Sequence, residues 1–234
     1  MQLPYINIRG AKGNAIEKLF WGTLPIERAN TLVSYRPGYL VGRLLDAIKY
    51  QHQPQLAVEL GKMMAQELIA TDFFKGIDAL QAIPLHPNRE RKRGYNQSEL
   101  IAQGISSITG LPIVHYVRRI IDNPSQTLLQ HNERRANVTG IFEATFSNEN
   151  AKDTNDLRKE PLHILLIDDV ITTGATTKSC GLALAEAIPD LRLSVLSFAY
   201  AGTIKYGRIL PVDLNLPDKE VSNLPFRESQ YGQL

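Results

Sequence analysis

The 234-residue chain has one cysteine, one tryptophan and three methionines. The single thiol, Cys180, excludes an intrachain disulfide framework and a zinc site built from cysteines. A charge of one sign is also missing. The 26 Lys and Arg stand against 24 Asp and Glu, a formal +2, which alone argues for neither a nucleic-acid surface nor an anionic membrane. No stretch approaches the ~18 apolar residues of a membrane span. Met1-Gln2-Leu3-Pro4-Tyr5-Ile6-Asn7 lacks the basic-then-apolar pattern of a secretory signal. There is no internal repeat and no low-complexity tract. What remains is an ordinary globular composition, 43% hydrophobic and 21% charged, on a chain long enough to bury a core without staples. The expectation is a cytoplasmic protein of one domain, or one domain with a small annex.

Along the chain, residues 1–35 read as a weakly ordered lead-in ending in the apolar Leu32–Tyr35. Leu40, Val41, Leu44, Leu45 and Ile48 recur at helical spacing, predicting a helix over 38–50. A second helical pattern starts at Pro54, with Leu56, Leu60, Met63, Met64 and Leu68 on one face. Residues 79–85 read as a strand, followed by a basic polar loop. A helix from about Asn96 places Leu100, Ile101, Ile105 and Ile108 inward, and 113–121 is strand-like. Residues 122–138 form a long polar loop, 141–146 a short strand and 147–161 a solvated insert. A buried strand over 162–167, a helix over 175–188 and a strand over 192–200 follow, then a tail over 203–234 with little pattern. Strands alternating with helices predict an α/β fold with a mainly parallel sheet.

The chemistry concentrates in Ile164-Leu165-Leu166-Ile167-Asp168-Asp169-Val170-Ile171-Thr172-Thr173-Gly174-Ala175-Thr176. A buried strand ends in two carboxylates, and a hydroxyl-rich turn then opens a helix. Ligands of open α/β sheets bind at the carboxyl ends of strands. A helix N-terminus offers unpaired N–H groups and the positive end of its dipole to a phosphate. Gly174 lets the backbone approach that phosphate, and Thr172, Thr173 and Thr176 add hydroxyl donors. The carboxylates can accept hydrogen bonds from a vicinal diol such as that of ribose. The plain alternative is a core strand that happens to end in acids before a Thr-rich cap. No Lys follows the glycine in the pattern of a Walker-type loop. The run resembles, at all thirteen positions, the motif with which type I phosphoribosyltransferases bind 5-phosphoribosyl 1-diphosphate (PRPP).

Two basic strips accompany it. Leu85-His86-Pro87-Asn88-Arg89-Glu90-Arg91-Lys92-Arg93-Gly94 follows a strand and carries four cations against one carboxylate. It suits a pyrophosphate, which Arg grips with a bidentate fork; the alternative is a solvated basic turn. His86 has no partner at metal-ligand spacing. Arg119 to Asn137, with Gln126 and Arg134, reads either as an ordinary excursion or as a lid. A lid would exclude water from a reaction with oxocarbenium character and bring Gln126 and an arginine to the leaving group. Neither strip interleaves aromatics with cations as single-strand binders do, and there is no helix-turn-helix signal, so direct nucleic-acid binding is not expected.

Arg93-Gly94-Tyr95-Asn96-Gln97 resembles the Arg-Gly-Phe-Asn-Gln signature of the ComF/GntX family. Arg119, Gln126, Leu129, Arg134, Asn137 and Gly140-Ile141-Phe142 resemble the family's loop pattern, and Ile48-Lys49-Tyr50 its Leu-Lys-Tyr helix end. The resemblance spans about residues 18–200. It implies a type I phosphoribosyltransferase fold with a small hood: a lead-in or hood segment over 1–35, the phosphoribosyltransferase-like domain over 36–200 and a tail over 201–234. It implies that Asp168 and Asp169 hold the ribose hydroxyls and, through water, Mg²⁺, while Val170, Ile171, Thr172, Thr173, Gly174, Ala175 and Thr176 form the rest of the PRPP site. Leu85, His86, Arg93 and Gly94 then form the pyrophosphate loop, and Arg93, Gln126 and Arg134 the catalytic set. Family members commonly begin with a four-cysteine zinc module, which this sequence does not contain; either the module was lost or the start is misplaced. Asn123 also replaces the family's usual Thr.

The resemblance implies Mg²⁺-dependent transfer of phosphoribosyl to an unidentified nitrogen acceptor. Enzymes acting on 6-oxopurines carry Asp at the position of Thr172, and Thr has no acid–base capacity at neutral pH. An orotate-type or amide-type acceptor is therefore expected, recognised by residues 15–70 and the tail. The other expectation is a ComF-like competence or DNA-uptake protein that binds PRPP or a partner of the competence machinery without turnover. Homodimers are common among proteins resembling this one.

Overall fold

The computed structural model describes residues 3–6, 12–36, 38–122, 140–145, 161–205 and 208–210. In chain order the elements are α1 (Ala15–Lys18), β1 (Ile26–Ser34), α2 (Leu40–Tyr50), α3 (Pro54–Leu68), a 3₁₀ turn (Asp72–Phe74), β2 (Ala79–Ala82), α4 (Pro87–Arg93), α5 (Gln97–Thr109), β3 (Val117–Arg119), β4 (Phe142–Ala144), β5 (His163–Ile171), α6 (Ala175–Ala187), β6 (Arg192–Tyr200), β7 (Thr203–Lys205) and β8 (Arg208–Leu210).

β5 is the most apolar strand, and it sits inside the sheet. The order is β1–β6–β5–β2 with every pairing parallel. Ile164, Leu165, Leu166 and Ile167 are all fully buried, as a central parallel strand covered on both faces requires. Their side chains alternate. Leu165 and Ile167 enter a core with Val41, Leu45 and Ile48 of α2, Met64 of α3 and Ile101 of α5. Ile164 and Leu166 enter a second core with Ile16 of α1, Val117, Phe142, and Cys180 and Leu184 of α6. The result is the expected α/β architecture, consistent with a phosphoribosyltransferase-like fold.

This layering creates the position of the site. The chain leaving β2 reaches α5 on one face, whereas the chain leaving β5 runs through α6 on the other. The switch point therefore lies between β2 and β5, where open α/β sheets form a crevice at the strands' carboxyl ends. Register deepens it. Ala82, the last residue of β2, pairs with Ile167, while β5 continues alongside β6 to Ile171. Asp168 and Asp169 lie just beyond the end of β2.

Several expectations are corrected. Residues 26–34, read as the end of a weakly ordered lead-in, form the sheet strand β1. Before it, Asn14 and Glu17 build a reciprocal cap: Asn14 Oδ1 accepts from the Ile16 and Glu17 amides at 2.8 and 3.0 Å, and Glu17 Oε2 accepts from the Gly13 amide at 2.5 Å. The basic strip is the short helix α4, not a loop. Pro87 opens it, His86 Nδ1 accepts from the Asn88 amide at 3.2 Å, and Gly94 closes it at φ 88°. Two turns with no buried face leave no apolar period to detect. β5 does not stop at Ile167 but carries both acids within it. The strand predicted over 113–121 is reduced to β3 and a bridge at Ile113. Ile108 is exposed, and Met63 is only partly covered beside buried Met64. Part of the tail forms the β7–β8 hairpin.

Helices α3 and α5 cross at Gly61 and Gly104. A Cβ on Gly104 would meet the Val58 carbonyl and stand 2.9 Å from the Gly61 Cα. Gly104→Ala should therefore force the helices apart and cost about 1–3 kcal/mol, as overpacking does, despite the better helix propensity of alanine. The measurement is a lowered urea midpoint; a midpoint at or above wild type would contradict the close crossing.

Candidate functional site

Period two sends the side chains of Asp168 and Asp169 to opposite faces of the sheet, and each meets a different helix. Asp168 faces α6, where Thr177 Oγ1 donates to its Oδ2 at 3.2 Å; its Oδ1 accepts the Asp169 amide at 2.9 Å. Asp169 faces α2, where Lys49 Nζ lies 2.5 Å from its Oδ2. Both carboxylates are buried, at 8% and 5% exposure. Burial, reinforced by the charge of Asp169, raises the Asp168 carboxyl to about 8. Burial pulls the Lys49 ammonium down, but Asp169 more than offsets this and its pKa is raised overall.

The turn after β5 leads into the N-terminus of α6 through Gly174. Gly174 adopts φ 75° and caps α6 with no side-chain hydrogen bond, leaving backbone donors available at the helix start. Thr173 Oγ1 accepts weakly from the Ala175 amide at 3.4 Å. Thr172, Thr173, Ala175 and Thr176 are exposed, while Gly174 and Ile171 are buried. A Cβ on Gly174 would stand 3.0 Å from the Phe20 ring. Glycine is thus required twice, for its positive φ and for the ring beneath it.

The Arg93–Gln97 strip is locked onto the end of α2. The Tyr95 hydroxyl donates to the Ile48 carbonyl, and Arg93 lies 5.8 Å from the centre of the Tyr50 ring and donates to Gln97. Asn96 accepts the Ser98 amide at 3.1 Å and donates to the Ile83 carbonyl at 3.0 Å, tying α5 to the end of β2. Arg93 is close enough to Lys49 for its charge to act on the ammonium. On the opposite face, Arg119 senses the charges of Arg89, Asp122 and Asp168. Its Nε donates to the Ile121 carbonyl at 3.0 Å. Arg89 pairs with Asp122 at 3.1 Å.

Of the residues singled out in the sequence, the structure brings together Asp168 and Asp169, the Val170–Thr176 segment, and Arg93 with Gly94. Leu85 and His86 precede α4, and His86 serves as its cap. Gln126, Leu129, Arg134 and Asn137 lie outside the described residues. Thr177, one residue past the motif, Phe20 and Lys49 lie outside the thirteen-residue run but are brought to it by the fold. Lys49 stood in the Ile48-Lys49-Tyr50 match, and that was the signal available for it.

Among the described residues, no group of three or more His, Cys, Asp or Glu gathers as a metal cage. Two neighbouring buried carboxylates suit a hard divalent ion that draws its other ligands from water and bound phosphates, as Mg²⁺ does. No helix among the described residues is long and apolar enough to cross a membrane.

The fold is that of an α/β protein with a mainly parallel sheet, consistent with a phosphoribosyltransferase-like fold. No protein-family model matches the chain. The chain is 25% identical over 156 residues to the "DNA utilization protein YhgH" of Salmonella typhi, covering 65% of this chain and 63% of that protein. It is 29% identical to "Competence protein F" of Haemophilus influenzae, covering 57% of this chain and 56% of the relative. It is 32% identical over 107 residues to "Competence protein ComFC" of Bacillus subtilis, covering 46% and 38%. The matches thus span less than two thirds of each relative's own length. Over part of its length the chain is thus similar to proteins named for competence and for DNA utilization.

The raised Asp168 pKa has a consequence for stability. Between the unfolded value near 4 and the folded value of about 8, the folded state holds the extra proton, so stability falls as pH rises through that window. Asp168→Asn cannot ionise and should show a flatter profile. Urea unfolding of the ligand-free proteins between about pH 5 and about pH 8 should move the difference steadily in the variant's favour. Parallel profiles would contradict a buried, protonated Asp168.

Proposed function

We propose that this chain binds PRPP together with Mg²⁺ and acts, like its relatives named for competence and DNA utilization, in that setting. One observation carries the reading: a buried carboxylate pair directly precedes a glycine turn that opens a helix at the sheet's switch point. In this reading the amides and hydroxyls of Thr172–Thr176 take the 5′-phosphate, and Asp168 and Asp169 take the ribose hydroxyls. Arg93 and Gly94, in the strip opened by Leu85 and His86, face the diphosphate. When bound, Mg²⁺ would neutralise the diphosphate oxygens, held through water by the two acids.

A second reading is turnover, with phosphoribosyl passing to a nitrogen acceptor of orotate or amide type as pyrophosphate departs. The placement of cations favours it. Lys49 and Arg93 lie on one face of β5 and Arg119 on the other, all within electrostatic reach of one another or of the acids, which suits charge building on a leaving diphosphate. Arg93, Gln126 and Arg134 are the catalytic candidates, and Thr172 argues against a 6-oxopurine.

Calorimetry separates the possibilities. PRPP should bind the wild type only with Mg²⁺, and the double change Asp168→Asn, Asp169→Asn should weaken binding at least about a hundredfold, roughly 3 kcal/mol. No heat at millimolar PRPP with folded wild type would sink the reading. If PRPP binds, pyrophosphate release across a panel of bases and amines establishes turnover, whereas silence across the panel leaves binding alone.

A further inference from the structure

Lys49 is the feature that the proposed ligand does not by itself explain. Its ammonium lies 2.5 Å from Asp169 Oδ2 in the ligand-free protein, with the Lys49 side chain 22% exposed and the Asp169 side chain 7% exposed. It is delivered there by an elaborate anchor. Ile48 is fully buried in the core, the Ile48 carbonyl accepts the Tyr95 hydroxyl, and Tyr50 lies against Arg93. The cation closest to the acid pair is therefore part of the protein, and a divalent ion approaching Asp169 meets an ammonium already in place. A buried carboxylate stripped of its counter-ion is strongly unfavourable, so Asp169 does not release Lys49 unless another cation replaces it. Lys49, whose side chain is 22% exposed, leaves most readily when another anion receives it.

We infer that Lys49 is a resident counter-cation that makes the acid pair refuse free divalent metal and accept it only together with a diphosphate. Arrival of metal and diphosphate exchanges both partners at once: the metal takes over Asp169, and the ammonium turns to the diphosphate oxygens. Neither half of the exchange is favourable alone, so metal and diphosphate binding are coupled, and the coupling is reciprocal. This deepens the proposed function and rests on its reading of the site as one for a diphosphate-bearing sugar.

The test counts protein-bound Mn²⁺ by equilibrium dialysis, with and without inorganic pyrophosphate, and then with PRPP. Wild type should retain little Mn²⁺ alone and much more with pyrophosphate. Lys49→Met, which keeps the length of the side chain but not its charge, should bind Mn²⁺ alone at least about tenfold more tightly than wild type and lose most of the coupling. Lys49→Arg should behave as wild type. Adding Asp169→Asn to Lys49→Met should abolish the gain. Thermal melts give a second readout: Mn²⁺ alone should raise the melting temperature of Lys49→Met and leave wild type unmoved. Micromolar binding of Mn²⁺ alone by wild type would overturn the inference without any variant, as would equal Mn²⁺ affinity of wild type and Lys49→Met. Pyrophosphate-dependent Mn²⁺ uptake by wild type without any uptake of PRPP would uphold the counter-cation and refute the PRPP reading. PRPP binding with no effect of Lys49 on Mn²⁺ would do the reverse.

Discussion

Everything near the site follows from placing two consecutive carboxylates inside the central strand of a parallel sheet. A strand alternates its side chains, so the acids lean toward different helices while staying close enough for each to feel the other's charge. Each is buried, and a buried polar or charged group requires its own partner. Asp168 is met on one face by the Thr177 hydroxyl and its neighbour's amide, and Asp169 is met on the other by Lys49. These demands explain where the flanking helices stand. α6 must begin close enough for its first turn to reach back to Asp168, and α2 must end where its penultimate residue reaches Asp169. The short β2 completes the arrangement by stopping one register position before the acids.

Segments far apart in the chain are recruited to hold that geometry. The Lys49-Tyr50 end of α2 and the Arg93–Gln97 strip are about forty residues apart, yet they form one structural unit through the Tyr95–Ile48 hydrogen bond and the Arg93–Tyr50 stacking. Residues 14–24 contribute from the other face. The Asn14–Glu17 cap fixes α1, Asn14 Nδ2 donates to the Ala29 carbonyl of β1 at 2.8 Å, and Phe20 lies beneath Gly174. The Gly174 turn thus rests on a ring supplied just after the first helix, and its backbone conformation is supported by packing as well as by glycine's freedom.

Much of this was legible in the sequence where one strong local signal decided the structure. The apolar run of β5, the Thr-Thr-Gly turn and the spacing of Val41, Leu45 and Ile48 all gave the right elements, because period and punctuation agreed. The misses have physical causes. β1, Ile26-Glu27-Arg28-Ala29-Asn30, mixes charged and polar residues with few apolar ones at its start, and its strand character comes from pairing with β6. The Asn14–Glu17 cap was a readable signal, but it opens a helix of only four residues with no periodic run behind it. α4 carried its start and stop signals in His86-Pro87 and Gly94 but had no buried face. Within the site, the acids and the glycine were visible as a motif. The partners that make the acids tolerable were not, because Lys49 and Thr177 are defined by distances across the fold.

His163 shows why perturbed ionisation alone does not mark the site. It begins the same strand, is fully buried, and is lowered to about 4, first by burial and then by the charges of Arg28 and Arg192. Its ring is nonetheless spoken for. The Gly76 carbonyl at 3.0 Å can only accept, so Nδ1 carries the proton and donates, leaving Nε2 to accept from the Ser194 hydroxyl at 2.9 Å. Arg28 meanwhile donates to the carbonyls of Phe73 and Lys75, at 2.7 and 2.5 Å. Every polar atom of the imidazole is satisfied by groups that close the amino end of the sheet. Both ends of β5 therefore hold displaced groups. At the amino end the partners are fixed backbone and core atoms that no ligand can replace. At the carboxyl end Asp168 is likewise held by a core hydroxyl and an amide, but its neighbour Asp169 is held by an ammonium on a flexible stem, and a partner that can be exchanged is what would distinguish a binding site from a well-packed buried charge.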